Sequence, residues 1–277
     1  MGNDRRNFVI ALIAVAAIIV GGWVAIYSYS DVNPPFTIVN SHSMQHCQED
    51  DKHSEIGVID TGDLIFVKNK DNVDIVSYVE GSSIGYSTFG DYGNVIVYNR
   101  DNNQKPVIHR AFLWLDYNGD GTWSAPALEN YSGRWECESG SDWNRLFGNI
   151  TFYNVGSVVD GGKRLEINLD NINPSSGFLT VGDSVSNTYF DQNSGISSYR
   201  LISYGNIKSV AWAEIPWIGA VKLMISGDDE INVWANNSIM MLFNLVLLII
   251  VGILAPGYLL DSVRYRKNKN QEETEGC

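Results

Sequence analysis

Two long apolar runs bracket everything else in this chain. Phe8 to Tyr27 is an almost unbroken series of Val, Ile, Leu and Ala, enough at about 1.5 Å per helical residue to cross a hydrocarbon layer of ~30 Å. Ile239 to Leu260 is a second run, interrupted only by Asn244, Gly252 and Pro256, which membrane helices tolerate better than soluble ones do. Both are expected to span a membrane, at 8–27 and 238–260. A cleaved secretory signal is the rival reading of the first run. That run exceeds a typical signal h-region and no small-x-small site closes it cleanly, so an uncleaved anchor is favoured.

The flanks set the orientation. Arg5 and Arg6 precede the first run, and Arg264, Arg266, Lys267 and Lys269 follow the second. The positive-inside bias places residues 1–7 and 261–277 in the cytoplasm and residues 28–237 outside it. The formal net charge is −13, and the outer segment carries nearly all of the acid. A surface of that sign is a poor match for nucleic acid. Cys47 and Cys137 lie outside and Cys277 inside. A Cys47–Cys137 disulfide and two free thiols are equally compatible with the sequence, and no metal-ligand spacing such as Cys-x-x-Cys occurs.

Between the runs, short stretches of alternating apolar and polar residues are separated by Gly, Asn and Asp turns, the pattern of a mainly β domain. Strands are expected at Thr37–Asn40, Asp63–Asn69, Asn94–Asn99, Val107–Asp116, Arg164–Leu169 and Phe178–Val181. Few segments are convincingly helical, and Glu129–Leu146 reads equally as a short helix or a loop. Pro34-Pro35 makes a stiff connector that keeps the first strand near the membrane.

Four short motifs then follow in order behind the first anchor: Ser41-His42-Ser43-Met44, Thr61-Gly62-Asp63, Val107-Ile108-His109-Arg110, and Phe178-Leu179-Thr180-Val181-Gly182-Asp183. Each is weak alone. Together they resemble the boxes of type I signal peptidases, in the archaeal and ER branch where His replaces the bacterial Lys. The resemblance covers about residues 8–115 and 177–192, roughly half of the chain. It implies a signal-peptidase-like β fold and a serine endopeptidase that removes N-terminal signal peptides from exported pre-proteins, with no cofactor. The bilayer is then a partner and the Sec translocon a candidate neighbour. It also implies small residues at the first and third positions before the cut.

The chemistry explains the residue types. A serine hydroxyl is a poor nucleophile until a base within hydrogen-bond reach removes its proton, and histidine suits that task near neutral pH. Ser43 and His109 are the expected nucleophile and base. Asp191 and Asp183 are the candidates for the group that orients the imidazole. The family pattern places its second Asp about six residues after Gly-Asp, whereas here Asp191 follows Asp183 by eight. Asp191 is preferred as the partner of His109, with Asp183 shaping the site. The Ser43 amide and the Ser41 hydroxyl are the expected oxyanion donors, with Met44 beside them as support. The Pro usual shortly after the nucleophile is missing, Gln45-His46 following Met44.

Other residues have plainer readings. His42, His46 and His53 are expected on an exposed polar loop around Gln48–Lys52. Asp63 reads as a turn residue before its strand, and Arg110 as support for the fold or for an acidic neighbour. Asp116–Gly121 resembles the start of a calcium loop, but position twelve is Ala127 rather than Glu, so a β-hairpin turn is the better reading. Sequons begin at Asn130, Asn149 and Asn236. Residues 117–176, between the His and Gly-Asp boxes, read as an inserted β-rich subdomain. Trp212, Pro216 and Trp217 form an aromatic patch suited equally to the membrane interface and to burial. Two rival functions stand beside the peptidase. One is an inactive, doubly anchored β-domain for adhesion or assembly, and the other a self-cleaving peptidase using Lys68 or Lys105 as base.

Overall fold

The computed structural model describes residues 2–46, 54–100, 105–156, 162–226, 237–253 and 255. The N-terminal apolar run forms helix α1 (Gly2–Ser30). Its segment Arg5–Ser30 is long and apolar enough to cross a membrane, and none of that window is buried against the rest of the chain. A second apolar helix, α4 (Asn237–Ile253), is shorter. Among the described residues there is therefore one candidate span rather than the two expected, since a spanning helix needs about 20 apolar residues. The remainder of the expected second span lies outside the described residues.

Short β-branched and aromatic runs between the helices pair into antiparallel strands, because a pleated strand with one or both faces covered suits those side chains best. The main sheet contains β1 (Phe36–Ile38), β2 (Leu64–Lys68), β5 (Val95–Tyr98), β6 (Val107–Tyr117), β11 (Gly177–Val181) and β12 (Ile207–Ile215), with the spatial order β1-β2-β12-β5-β6-β11. A short β7 (Trp123–Ser124) pairs with the end of β6. Residues 118–122 thus turn a hairpin, with Asp120 Oδ1 accepting bonds from both the amide and the hydroxyl of Thr122. That is turn chemistry of the Asx type.

Two bulges redirect aromatic side chains. Along β6, Leu113 faces Leu179 and Ala111 faces Thr180, so Phe112 is the extra residue. Along β12, Ala211 faces Val67 and Ala213 faces Phe66, so Trp212 is extra. A bulge bends its strand and turns a side chain away from the regular alternation. Phe112 is turned into the core, and Trp212 is turned outward against Tyr29 at the end of α1, ring centroids 5.0 Å apart. Trp212 stays 41% exposed, whereas Trp217 is buried with its indole N–H on Ser54 Oγ at 2.6 Å. The aromatic patch is thus divided between surface and core.

The inserted residues contribute a three-stranded sheet, β8 (Trp135–Cys137), β9 (Asn149–Val155) and β10 (Lys163–Asn168), in the order β10-β9-β8. Its inner face packs into the same apolar cluster as β6 and β11. Phe112 stacks on Tyr78 at 5.1 Å, meets Phe152 of β9 edge-on at 4.9 Å and meets Phe190 at 5.1 Å. Phe190 immediately precedes Asp191, so the insertion helps to set the position of that carboxylate. Cys47 lies outside the described residues; the Cys137 thiol sits 3.3 Å from the Phe147 carbonyl.

Several elements depart from the sequence expectation. Strand β12 is central to the sheet, yet no strand is expected there; of its residues only Trp212 belongs to the aromatic patch, which suits the interface and burial equally. The undecided stretch 129–146 holds β8. A helix, α2 (Tyr78–Ile84), is closed at its start by a Ser77–Glu80 capping box. Seven residues give no usable hydrophobic period, so only that capping signal was available in the sequence. Two further short strands, β3 (Ser87–Thr88) and β4 (Asp91–Tyr92), pair with each other, and helix α3 (Ile218–Ser226) follows β12.

Because the insertion shares this core, Phe152→Ala is expected to destabilise the whole chain by about 3–5 kcal/mol. Denaturant unfolding of the detergent-solubilised protein would measure it. A loss under about 1 kcal/mol would mean that the insertion stabilises only itself.

Candidate active site

Ser43 lies on the loop that leaves β1. That strand is held against β2, and β2 is tied back to the end of α1: Ser30 Oγ donates to the Val67 carbonyl at 2.5 Å and the Asn69 amide donates to the Ser30 carbonyl at 2.8 Å. His109 and Arg110 are neighbours on β6, with His109 opposite Ile96 and Arg110 opposite Val95. Successive strand residues point to opposite faces, so the two side chains serve different neighbourhoods.

On one face, Ser43 Oγ is 2.8 Å from His109 Nε2, and His109 Nδ1 is 2.9 and 2.8 Å from the two carboxylate oxygens of Asp191. His109 and Asp191 are 3% and 2% exposed, and Ser43 is only half-buried. An acceptor at Nδ1 leaves Nε2 free to take a proton from the hydroxyl. The Tyr98 hydroxyl donates to Asp191 Oδ2 at 2.6 Å, and the Asp191 amide donates to the Thr180 carbonyl at 2.9 Å. Burial and the adjacent Asp191 raise the Tyr98 phenol well above its ordinary pKa, so it remains a donor. Ser41 Oγ lies 3.2 Å from Ser43 Oγ on the exposed side. Met44 is 1% exposed and packs beneath the loop with Val39, Ile59 and Ile65.

On the other face, Arg110 is buried and binds Asp183 through two bonds, Nε to Oδ1 at 2.8 Å and Nη2 to Oδ2 at 2.5 Å. Its Nη1 donates to the carbonyls of Asp91, Tyr92 and Gly93 at 3.2, 3.0 and 2.9 Å. Burial alone would raise the Asp183 carboxyl; Arg110 and His46 outweigh it and hold the group well below the usual carboxylate range. Asp183 therefore belongs to this ion pair, and Asp191 alone reaches the imidazole of His109.

His46 corrects the expected exposed loop. Its ring is half-buried, with Nε2 3.4 Å from Asp183 Oδ2. Burial opposes its charge, but the bond and charge of Asp183 prevail and raise its pKa above 6.5. His42 is exposed, as expected. His53 lies outside the described residues. Lys68, one alternative base, has its ammonium 4.3 Å over the Tyr29 ring, and Lys105 is exposed. Neither occupies the base position beside Ser43.

The segment after β11 holds the backbone of Ser43. The Ser43 carbonyl accepts bonds from the Ser184 amide at 3.0 Å and from Asn187 Nδ2 at 2.8 Å. Gly182 permits this closeness, because a Cβ there would collide with the Ser43 carbonyl and the Asn187 amide and come within 3.1 Å of His109 Nε2. The eight-residue spacing from Asp183 to Asp191 is the length of this excursion over Ser43 and back to Thr180. The contributions of Tyr98, His46 and Asn187 carried no sequence signal, since each depends on pairing across the fold.

Asp63 closes the turn before β2. Its Oδ1 accepts the Trp217 amide at 2.9 Å and its Oδ2 the Asp60 amide at 2.7 Å. Burial pushes its pKa up to about 8 and that of Asp60 to about 6. Among the described residues no cluster of three or more His, Cys, Asp or Glu side chains is arranged to hold a metal ion. No protein-family model, curated protein or solved structure matches the chain.

The raised pKa of His46 has a definite sign in stability. Its contribution is complete below about pH 6.5 and is lost as pH rises through the folded-state value. The melting temperature of His46→Gln should therefore lie furthest below that of the unaltered chain near pH 6, by an amount equivalent to about 1–2 kcal/mol. The gap should narrow by pH 8.5, and a gap independent of pH would contradict the assignment.

Proposed function

We propose that this chain is a membrane-anchored serine endopeptidase of the signal peptidase type, archaeal and ER branch, acting on signal peptides of exported pre-proteins. The observation that carries the reading is the continuous hydrogen-bonded line Ser43–His109–Asp191, open at the serine and closed by burial at the carboxylate. In this reading His109 takes the Ser43 proton as Ser43 Oγ attacks the scissile carbonyl, and then gives it to the leaving amine. Water, activated through the same imidazole, hydrolyses the acyl-enzyme. Asp191, fixed by Tyr98, holds the ring and balances its transient charge. The Ser41 hydroxyl and the Ser43 amide donate to the developing oxyanion.

Topology supports the choice of substrate. Five residues, 31–35, separate the end of α1 from β1, so Ser43 works close to the surface from which a translocated pre-protein emerges. Both termini are cytoplasmic in this proposal, residues 28–237 are outside, and the apolar run continuing from α4 is the second span. The acidic outer segment fits a peptide substrate better than a nucleic acid.

The test is cleavage of a pre-protein with small residues one and three positions before the cut, by the full chain in proteoliposomes. Ser43→Ala and His109→Ala should abolish it. Asp191→Asn should lower kcat about 10³–10⁴-fold, and Ser41→Ala about 10²-fold. Cleavage that persists in Ser43→Ala would refute the reading.

A further inference from the structure

We propose that Lys163, at the head of the insertion's strand β10, is a positioning residue for the nucleophile. It would couple residues 117–176 to the catalytic centre. The proposal rests on the reading of Ser43 as nucleophile and goes beyond it, because none of the four boxes lies in the insertion.

The Lys163 ammonium donates to the carbonyls of Gly182 and Ser184, at 2.8 and 3.1 Å. Those two carbonyls flank Asp183, in the segment whose Ser184 amide and Asn187 side chain both grip the Ser43 carbonyl. The path from β10 to the nucleophile's backbone is therefore two hydrogen bonds long. At its far end Lys163 is fixed by strand pairing, opposite Val155 of β9. Gly182 has no Cβ to brace it against its neighbours, and it stands where a displacement of a few tenths of an ångström would change the approach of Ser43 to His109.

The surroundings favour an ammonium at this point. Lys163 lines a cavity of about 20 Å³ together with His46, Asp91, Asp183 and Val185, a space of about one water molecule. Burial pulls its pKa down to about 8, opposed by the carboxylates of Asp183, Asp91 and Asp191, with Arg110 acting in the same sense as burial. Neighbouring His46 places its Nε2 3.4 Å from Asp183 Oδ2, and the Asp183 bond and charge raise its pKa. At neutral pH the amine is thus mainly protonated and offers three directed donors, two of which the Gly182 and Ser184 carbonyls take. An apolar side chain of similar length, such as Met, offers none.

The experiment uses the full chain in proteoliposomes with the same pre-protein. Lys163→Met should lower kcat about tenfold with KM unchanged, and backbone amide exchange at 182–187 should quicken. Lys163→Ala should lose kcat likewise and regain it on addition of propylammonium, but not of propanol. Rescue by a free ammonium tests the interaction even if a variant is less stable, because a purely structural loss would not respond to it. Unchanged kcat in Lys163→Met, or loss without rescue in Lys163→Ala, would overturn the positioning role while leaving Ser43-dependent cleavage intact. A chain without Ser43-dependent cleavage would overturn both readings.

Discussion

The buried ion pair between Arg110 and Asp183 is the contact on which the rest of the site depends. It joins β6 to the end of β11, and the spare guanidinium donors gather the carbonyls of Asp91, Tyr92 and Gly93 around it. Two desolvated charges are costly to bury, and such a pair is worth having only when its remaining donors and acceptors are also bonded. Here they are: Asp183 has His46 besides Arg110, and each guanidinium nitrogen has a partner. The same two β6 residues, one pointing each way, thus supply the guanidinium of the buried ion pair and the imidazole beside Ser43 from adjacent positions.

A second dependence runs through aromatic packing. The bulge at Phe112 brings one ring against Tyr78, Phe152 and Phe190, three residues from three separate parts of the chain. Bulky rings in close contact leave few alternative packings, so the loop carrying Asp191 is set from behind by the core as well as from the front by Tyr98. Residues 117–176 consequently adjoin the site: Phe152 packs on Phe190, the neighbour of Asp191, and Lys163 bonds the segment that holds Ser43.

At the end of α1 the arrangement is simpler. The end of α1, the connector through Pro34-Pro35 and β2 are bonded into one unit by Ser30, Asn69 and Val67. The bulged Trp212 packs onto Tyr29 and Phe66 beside it, at 5.0 and 5.7 Å. An aromatic half in contact with protein and half exposed suits the boundary between lipid and water. The loop carrying Ser43 follows directly, so its distance from the end of α1 is set by a few covalently and hydrogen-bonded residues.

What could be read without coordinates was local. The apolar length of residues 8–27 showed a helix long enough to cross a membrane, alternation located six of the strands to within one or two residues, and the boxes named Ser43, His109 and two aspartates. β12 escaped because the bulge at Trp212 breaks its regular alternation, and α2 because seven residues carry no period. The tertiary structure alone decided which aspartate meets the imidazole, that His46 turns inward, and that Tyr98 and Lys163 belong to the site. Those contacts join residues separated by 137 positions for His46–Asp183 and 93 for Tyr98–Asp191. Local sequence governs backbone preference and burial over a few residues. The path of a loop such as 183–191 is chosen by the distant carbonyls and charges it must satisfy.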